Sequence, residues 1–413
     1  MGLRYLAVAV TALGPTSLLA QDTIVVRADN APLWGAVPRL VEEVRIGTLE
    51  GGGPTSFGRI SGIVVDDDGV MWVADDLAAE IRRFDADGHY LGAIGRSGEG
   101  PGEFTGIAGI KRMPDGRIVV WDSRGGRFNF LSAEGEYLSS IPSRVGVIGG
   151  RFSTFQVDTT GVIYNRWVRF VGVTGPGMNP LKPGQMQAVW IKRTQEGSVV
   201  DTIDVPPSGR SVMGGGSYPF GTMAPFEPVT LSVMSPHGYL VVAHNERYAI
   251  HRPLADGRVL RIEQEWEPVR VQRSERSQYA ELAAHVATLW DPALRFTDDV
   301  PNRKPPFWAI RTDEQGRLWV ATHSEGTFIE ETPEEREERR KLIEFRGSEP
   351  PPLEWWEPLI TDVIEPNGRF LGTLRFPSNQ AVVVAARDLL IWAVELGEYD
   401  EEYVVRYRVE PGG

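Results

Sequence analysis

The chain has 413 residues, 41% hydrophobic and 24% charged, with 56 acidic against 43 basic side chains and a formal charge of −13. That balance repels a phosphate backbone, which excludes nucleic acid as a partner, and the apolar fraction suits a packed core rather than a disordered chain. The complete absence of cysteine excludes disulfides, thiolate zinc sites, a cysteine nucleophile and a lipid-modified cysteine anchor.

In chain order, Arg4 precedes a short apolar run over 5–13, followed by "GPTSLLA" before Gln21. This pattern predicts a secretory signal peptide over 1–20, cut after the small residue Ala20, because the run is too short to span a bilayer. The mature chain, 21–413, is therefore expected to be exported, either periplasmic or extracellular. No later stretch approaches the roughly 18 uninterrupted apolar residues of a membrane helix, so no integral membrane segment is expected in it.

Residues 60–95 hold four β-prone runs, 60–65, 70–74, 81–84 and 90–94, joined in part by Asp68-Gly69 and Asp87-Gly88. Asp-Gly pairs make tight hairpins because glycine tolerates the positive φ the turn demands, so four antiparallel strands are predicted. The unit recurs at 107–142, where Gly116 and Gly135 lie 19 residues apart, as Gly69 and Gly88 do. A third unit, 153–206, is stretched by an insertion between Gly161 and Gly197, and a fourth, 229–265, restores the spacing between Gly238 and Gly257.

The fifth unit, 307–377, is split between its second and third strands by a mixed-sign helix near 331–345 and a proline-rich stretch. The sixth, 379–410, shows only three strands. Its fourth is expected from 44–49, since "VRIGTLEGGGPTSFGRI" parallels "YLGAIGRSGEGPGEFTGI" in placing Gly-Pro before a Phe. The expected fold is thus all-β: one six-bladed β-propeller, its last blade closed by strands from both termini so that no open end remains, with one or two inserted helices and a monomeric state. A second helix is predicted over 274–291, with Ser274 as cap, Glu275 near the positive end of the dipole, and Tyr279, Leu282, Ala283, Val286 and Leu289 on one apolar face packed on the side of the ring.

The string of Asp-Gly, "MWVAD", "IRRFDADG" and "YLGAIGRSGEGPGEF" resembles the NHL-type six-bladed β-propellers of bacteria, over nearly the whole mature chain. That broad group holds lyases, lactonases and non-catalytic interaction modules, so the resemblance implies a fold and no reaction. The ligand sets of its gluconolactonase-like and amidating-lyase-like members cannot be placed residue by residue here.

In such a blade the loops after the second and fourth strands share one face. That face would carry Asp75 and Asp76 from blade one, Asp122 from blade two, Asn165 and Arg166 from blade three, His244 and Asn245 from blade four, and His323 from blade five. Carboxylates and imidazoles converging on a channel mouth could hold a small ligand or a divalent metal, Ca²⁺ or Zn²⁺, with His244, His323 and Asp122 as the metal candidates. Against this, an aspartate closing a second strand also satisfies loop amides, which gives Asp75 and Asp122 a structural reading. His244 lies six residues after Gly238 and His323 seven after Gly316, an offset that turns the two imidazoles to opposite faces. No Gly-x-Ser-x-Gly elbow, HExxH, phosphate loop or dinucleotide fingerprint occurs, and Trp72, Trp319 and Tyr164 read as core aromatics.

Two functions remain open. One is a binding scaffold for a small molecule or a protein, docking on the face that bears the loops 166–189 and 208–228. The other is a metal-dependent hydrolase or lyase at the channel mouth, using Asp75, Asp122, Asn165, His244 and His323.

Overall fold

The computed structural model describes residues 23–27, 31–49, 52–143, 155–170, 186–207, 225–290, 300–346, 351–352, 354–378, 381–397 and 400–412. The predicted signal peptide and most of the 208–228 loop lie outside the described residues. Two strands open the chain, β1 (Thr23–Arg27) and β2 (Arg39–Ile46). Blade one follows with β3 (Ile60–Val65), β4 (Met71–Asp75), β5 (Glu80–Phe84) and β6 (Tyr90–Ile94). Blade two is β7 (Ile107–Arg112), β8 (Ile118–Asp122), β9 (Arg127–Leu131) and β10 (Tyr137–Pro142). Blade three is β11 (Phe155–Val157), β12 (Ile163–Phe170), β13 (Met186–Arg193) and β14 (Val199–Asp204), and blade four is β15 (Thr230–Met234), β16 (Leu240–His244), β17 (Ala249–Pro253) and β18 (Val259–Glu263).

Helix α1 (Arg273–Trp290) leads to blade five, which begins with β19 (Phe307–Thr312) and β20 (Leu318–Thr322). Its insertion carries the two-residue β21 (Thr327–Phe328), helix α2 (Pro333–Arg346) and β22 (Trp355–Trp356), which pairs with β21. The blade resumes with β23 (Ile360–Ile364), directly paired to β20, and β24 (Phe370–Arg375). Blade six is β25 (Val382–Arg387), β26 (Leu390–Leu396) and β27 (Glu402–Glu410), completed by β2 as its outermost, antiparallel strand. The closing strand thus covers 39–46, beginning before the 44–49 anticipated from the repeat, because it pairs along nearly all of the long β27 through a bulge at Glu42/Val44.

Each blade's turns follow from its residues. Gly69 and Gly116 have φ of 82° and 89°, a region an L side chain enters only with strain, and each closes a first-to-second-strand turn. Ahead of that turn sits an aspartate in three of the blades. Asp66, Asp158 and Asp313 each accept from two turn amides with one oxygen. With the other they accept from an aromatic six residues later: Trp72 Nε1 (3.2 Å), Tyr164 OH (2.9 Å) and Trp319 Nε1 (2.9 Å). The three aromatics are buried, so one carboxylate both ties the turn and satisfies a polar atom carried into the core.

Among the described residues the core divides into six apolar clusters, one between each pair of successive blades. Trp72, Ile81, Phe104 and Ile110 fill the gap between blades one and two. Trp392 and Val394 of blade six meet Ile63, Val73 and Phe84 of blade one, which closes the ring. The inner strands of blades one and two approach so closely that a Cβ on Gly62 would stand 2.9 Å from Ile110 Cγ2.

The N-terminal segment does more than donate the closing strand. β1 adds in parallel to the outer edge of blade four, from Thr23↔Val259 to Arg27↔Glu263, and Ile24 and Val26 pack on the cluster between blades four and five. Trp34 then donates its amide to the Leu371 carbonyl of blade five (2.7 Å), buries its ring between blades five and six, and accepts from the Gly412 amide. Residues 23–27 and 31–46 therefore lie along the outside of blades four, five and six. At α1, Gln272 rather than Ser274 is the N-cap: its carbonyl accepts the Arg276 amide, and Glu275 Oε2 reaches back to its amide at 3.0 Å. At α2, Thr332 and Glu335 form the reciprocal capping pair.

A chain starting at residue 31, lacking β1, is expected to keep a cooperative urea transition with stability lowered by about 2–4 kcal/mol, the burial of two aliphatic side chains and one strand ladder. A chain starting at residue 48, lacking β2 as well, is expected to lose the single transition followed by tryptophan fluorescence, because β27 becomes an open edge.

Candidate functional site

Chain direction puts the loops after second strands and the links between blades on one face, here called upper, and the Asp-Gly turns on the lower one. The carboxylates predicted for the upper mouth are turned inward. Asp75 has no exposed surface and accepts from the amides of Gly58 (2.8 Å), Arg59 (3.0 Å), Leu77 and Ala78 (both 3.2 Å), with Arg82 at 3.5 Å. Asp122 repeats this in blade two, holding the amides of Thr105, Gly106 and Gly125, the Thr105 hydroxyl at 2.8 Å and Arg127 Nε at 3.2 Å. Asn245 does so in blade four: its Oδ1 accepts from the Val229 amide and its Nδ2 donates to the Phe307 carbonyl at 2.6 Å, tying blade four to blade five. These side chains bind the loops that connect the blades, and their ligand capacity is spent.

Asn165 is buried and accepts from Arg193 Nε at 3.1 Å, while Arg193 also donates to the Ser143 carbonyl of blade two. Asp76 bridges Arg59 and, at 2.7 Å, Arg124 of blade two. Arg166 is half-buried beside Trp190 in the ladder, and desolvation pulls its guanidinium below the usual arginine value. His244 is exposed on β16, its ring 3.3 Å from the Thr230 hydroxyl and 3.8 Å from Glu246.

His323 is differently placed. Its amide donates to the Pro306 carbonyl, as Asn245 donates to Val229, which puts it one register position beyond His244. Its ring is largely buried. Nδ1 lies 3.0 and 3.1 Å from the two oxygens of Glu357, which also accepts from the Ser324 amide at 2.7 Å. Lys304 Nζ reaches Glu357 at 3.0 Å, Glu275 of α1 at 2.6 Å and the Ser324 carbonyl at 3.0 Å, with Nζ over the Phe226 ring. Phe226 packs edge-on against both His323 and Tyr279. Thus α1, the blade-five insertion and the segment before blade four meet on the upper face, and α1 is anchored there rather than on the side of the ring.

Burial of Glu357 works toward a higher pKa, but the hydrogen bond and charge of His323, then Lys304 and the Ser324 amide, outweigh it and hold the carboxyl below its ordinary value. Desolvation, with the charges of Glu357 and Glu275, keeps Tyr279 a neutral phenol, pushed up to about 12. This arrangement fixes one histidine by a carboxylate at Nδ1, the geometry that orients an imidazole for work at Nε2. Glu357 and Lys304 carry no signal in the sequence, and Tyr279 is legible there only as part of the apolar face of α1. Glu357 lies 34 residues beyond His323 in an insertion outside the repeat, so no spacing rule pointed to it.

The residues do not fit the divalent metal considered for the mouth. Asp122 is saturated by loop donors, His244 points to solvent, and His323 Nδ1 is taken by Glu357. Among the described residues one set of three ligand atoms lies within 4.8 Å, that of Asp85, Asp87 and His89 on the lower face. It is a turn held by its own bonds, Asp85 accepting from the Asp87 and His89 amides and pairing with the His89 ring.

Two contrasts test these roles. Asp122→Ala, which orphans several buried donors, is expected to lower unfolding stability by about 3 kcal/mol, and His244→Ala by less than about 0.5 kcal/mol, in urea titrations. Glu357→Gln is expected to cost about 1–3 kcal/mol at pH 7. Because the folded pKa of Glu357 is depressed, that cost should persist above the unfolded value near 4.5 and shrink as pH falls through the folded value, so melts at pH 7 and pH 3 should differ in the gap between variant and parent.

Residues 41–165, covering the closing strand, blades one and two and the start of blade three, match a family model described as a 6-bladed beta-propeller (DUF5128). No curated protein matches the chain. Of solved structures, a member of the duf4221 family from Bacteroides vulgatus superposes with a TM-score of 0.52 at 11% identity, covering 91% of this chain and 99% of that one. Virginiamycin B lyase from Staphylococcus aureus gives 0.38 at 12% identity over 89% and 99%, and a calcium-binding regucalcin from Agrobacterium tumefaciens gives 0.39 at 10% over 92% and 97%. With six sheets in a closed ring and the Asp-Gly blade repeat, the chain is a six-bladed β-propeller similar to the NHL-type propellers of bacteria.

Proposed function

We propose that the protein is an exported binding propeller whose recognition surface is the upper face. The observation that carries this reading is the contrast on that face between satisfied polar groups and exposed apolar ones. Asp75, Asp122 and Asn245 are consumed by the scaffold, whereas Leu77, Trp308, Phe328 and Ile329 present apolar surface to solvent. Phe328 also stacks edge-on with Trp355 across the β21–β22 pair. Exposed aromatics on a rigid frame provide contact area at low entropic cost, which suits a protein or small-molecule partner. Most of the loops 166–189 and 208–228, anticipated as the docking loops, lies outside the described residues. Export rests on the leader-like N-terminus; no helix among the described residues is long and apolar enough to cross a membrane.

A second reading, a hydrolase or lyase at this mouth, is favoured by one observation, the His323–Glu357 pair. Here His323 Nε2 would act as a general base without a metal ligand set around it.

Triple replacement of Trp308, Phe328 and Ile329 by serine is expected to leave the melting temperature within about 2 °C of the parent and to abolish partner capture by a photo-cross-linker placed at position 77. Equal cross-linking by the variant and the parent would remove the apolar face as the recognition surface. Turnover on a panel of lactones and esters that disappears in His323→Asn, with cross-linking retained, would move the assignment to the enzyme.

A further inference from the structure

The channel at the centre of the ring is lined by the free edges of β3, β7, β11, β15, β19 and β25, each the terminal strand of its sheet. A small cavity of about 50 Å³ opens there, and Lys111, Gln156, Val233 and Arg311 all border it. Each of these four stands five residues before the turn glycine of its blade, Gly116, Gly161, Gly238 and Gly316, so they occupy one level of the channel. The ladder agrees, with Lys111 opposite Val119 and Arg311 opposite Trp319 at corresponding positions of blades two and five. Blades two and five are three steps apart in a ring of six. The two cationic side chains therefore rise from opposite walls at the same height.

Neither has a hydrogen bond or ion pair with another described residue. Desolvation lowers the pKa of both; for Lys111 the charge of Arg311 adds to it, and that of Glu314 opposes it. Glu314 is already paired with Arg387 Nη2 at 2.9 Å. The one carboxylate that borders the cavity, Asp313, is held by Arg317 Nε at 2.5 Å, Trp319 Nε1 at 2.9 Å and two turn amides. The most deeply buried cations are partnered, Lys304 with Glu275 and Arg82 with Glu80. Both residues are only partly exposed, and two unpartnered like charges facing each other across a narrow channel repel unless an anion sits between them.

We propose that the channel binds a small organic anion, its carboxylate or phosphate oxygens clamped between Lys111 and Arg311, the Gln156 amide as neutral donor, and its apolar part against Phe155, Trp190 and Val233. The three apolar residues border the same cavity. Charge-assisted bonds from opposite sides select an oxyanion, and the acidic remainder of the chain offers no comparable pair of free cations among the described residues. The site is independent of the upper-face reading.

The test is calorimetric titration of the purified protein with inorganic phosphate and with benzoate, ionic strength held constant with chloride, alongside melting curves. One of the two is expected to bind saturably at one per chain and to raise the melting temperature by a few degrees near 100-fold excess over Kd, and which one binds separates phosphate from carboxylate recognition. Lys111→Met and Arg311→Met are each expected to weaken that binding by about tenfold or more. Should a methionine variant fail to fold, Lys111→Arg, which keeps the charge, is expected to bind as the parent does. Absence of saturable binding of both anions to the parent, or methionine variants that bind as tightly as the parent, would overturn the proposal.

Discussion

The pairing of β2 with β27 is the constraint on which the rest of the molecule depends. Six sheets each bury two faces against neighbours, so the first and last blades are stable only if they meet, and they meet because one blade is built from both ends of the chain. Arg39 and Glu410, 371 positions apart, are joined across that seam. Glu402 of the last strand takes the Ile60 amide of the first blade at 2.5 Å, and Arg45 bridges to the buried Glu395. With the ring shut, the inner strands are held close enough to form a narrow channel, and the loops of the upper face are fixed relative to one another.

The blades could be read from the sequence because their turns are chemically explicit. Positive-φ glycines recur at one spacing in blades one, two and four, and the alternation around them has the period of a strand. β1 could not be read so: five residues, "TIVVR", outside the repeat, acquire their role only by adding to an edge supplied more than two hundred residues later. The upper-face residues were visible as residue types but not as roles. For Asp75 and Asp122 the loop-amide reading stood beside the ligand reading, and the structure shows the loop-amide role for both. The one-residue offset between His244 and His323 was legible, and it separates an exposed imidazole from one held by a carboxylate. Glu357 was not legible, since its insertion obeys no repeat. Lys111 and Arg311 stand at equal distance from their turn glycines, a correspondence open to inspection in the sequence but without meaning until the inner strands are seen to line a cavity.

The molecule divides its charge by location. The loops use carboxylates and amides to tie backbone to backbone, the lower turns use them to carry aromatic N–H and O–H groups into the core, and the upper face locks Lys304 between two glutamates. The axial channel departs from this economy by leaving cations uncompensated. A scaffold selected only for stability would have apolar or neutral residues there, as Val233 and Ala385 are in other blades.

Residues 23–27 and 31–46 also set the order in which the molecule can be assembled. Their three docking partners, blades four, five and six, are the last parts of the chain to be synthesised, so the first segment made must stay unpaired until the final strand exists. Folding therefore carries the cost of very long-range contacts, and the ring closes slowly and late. The device that makes the finished ring hard to open therefore also keeps the unfinished one open.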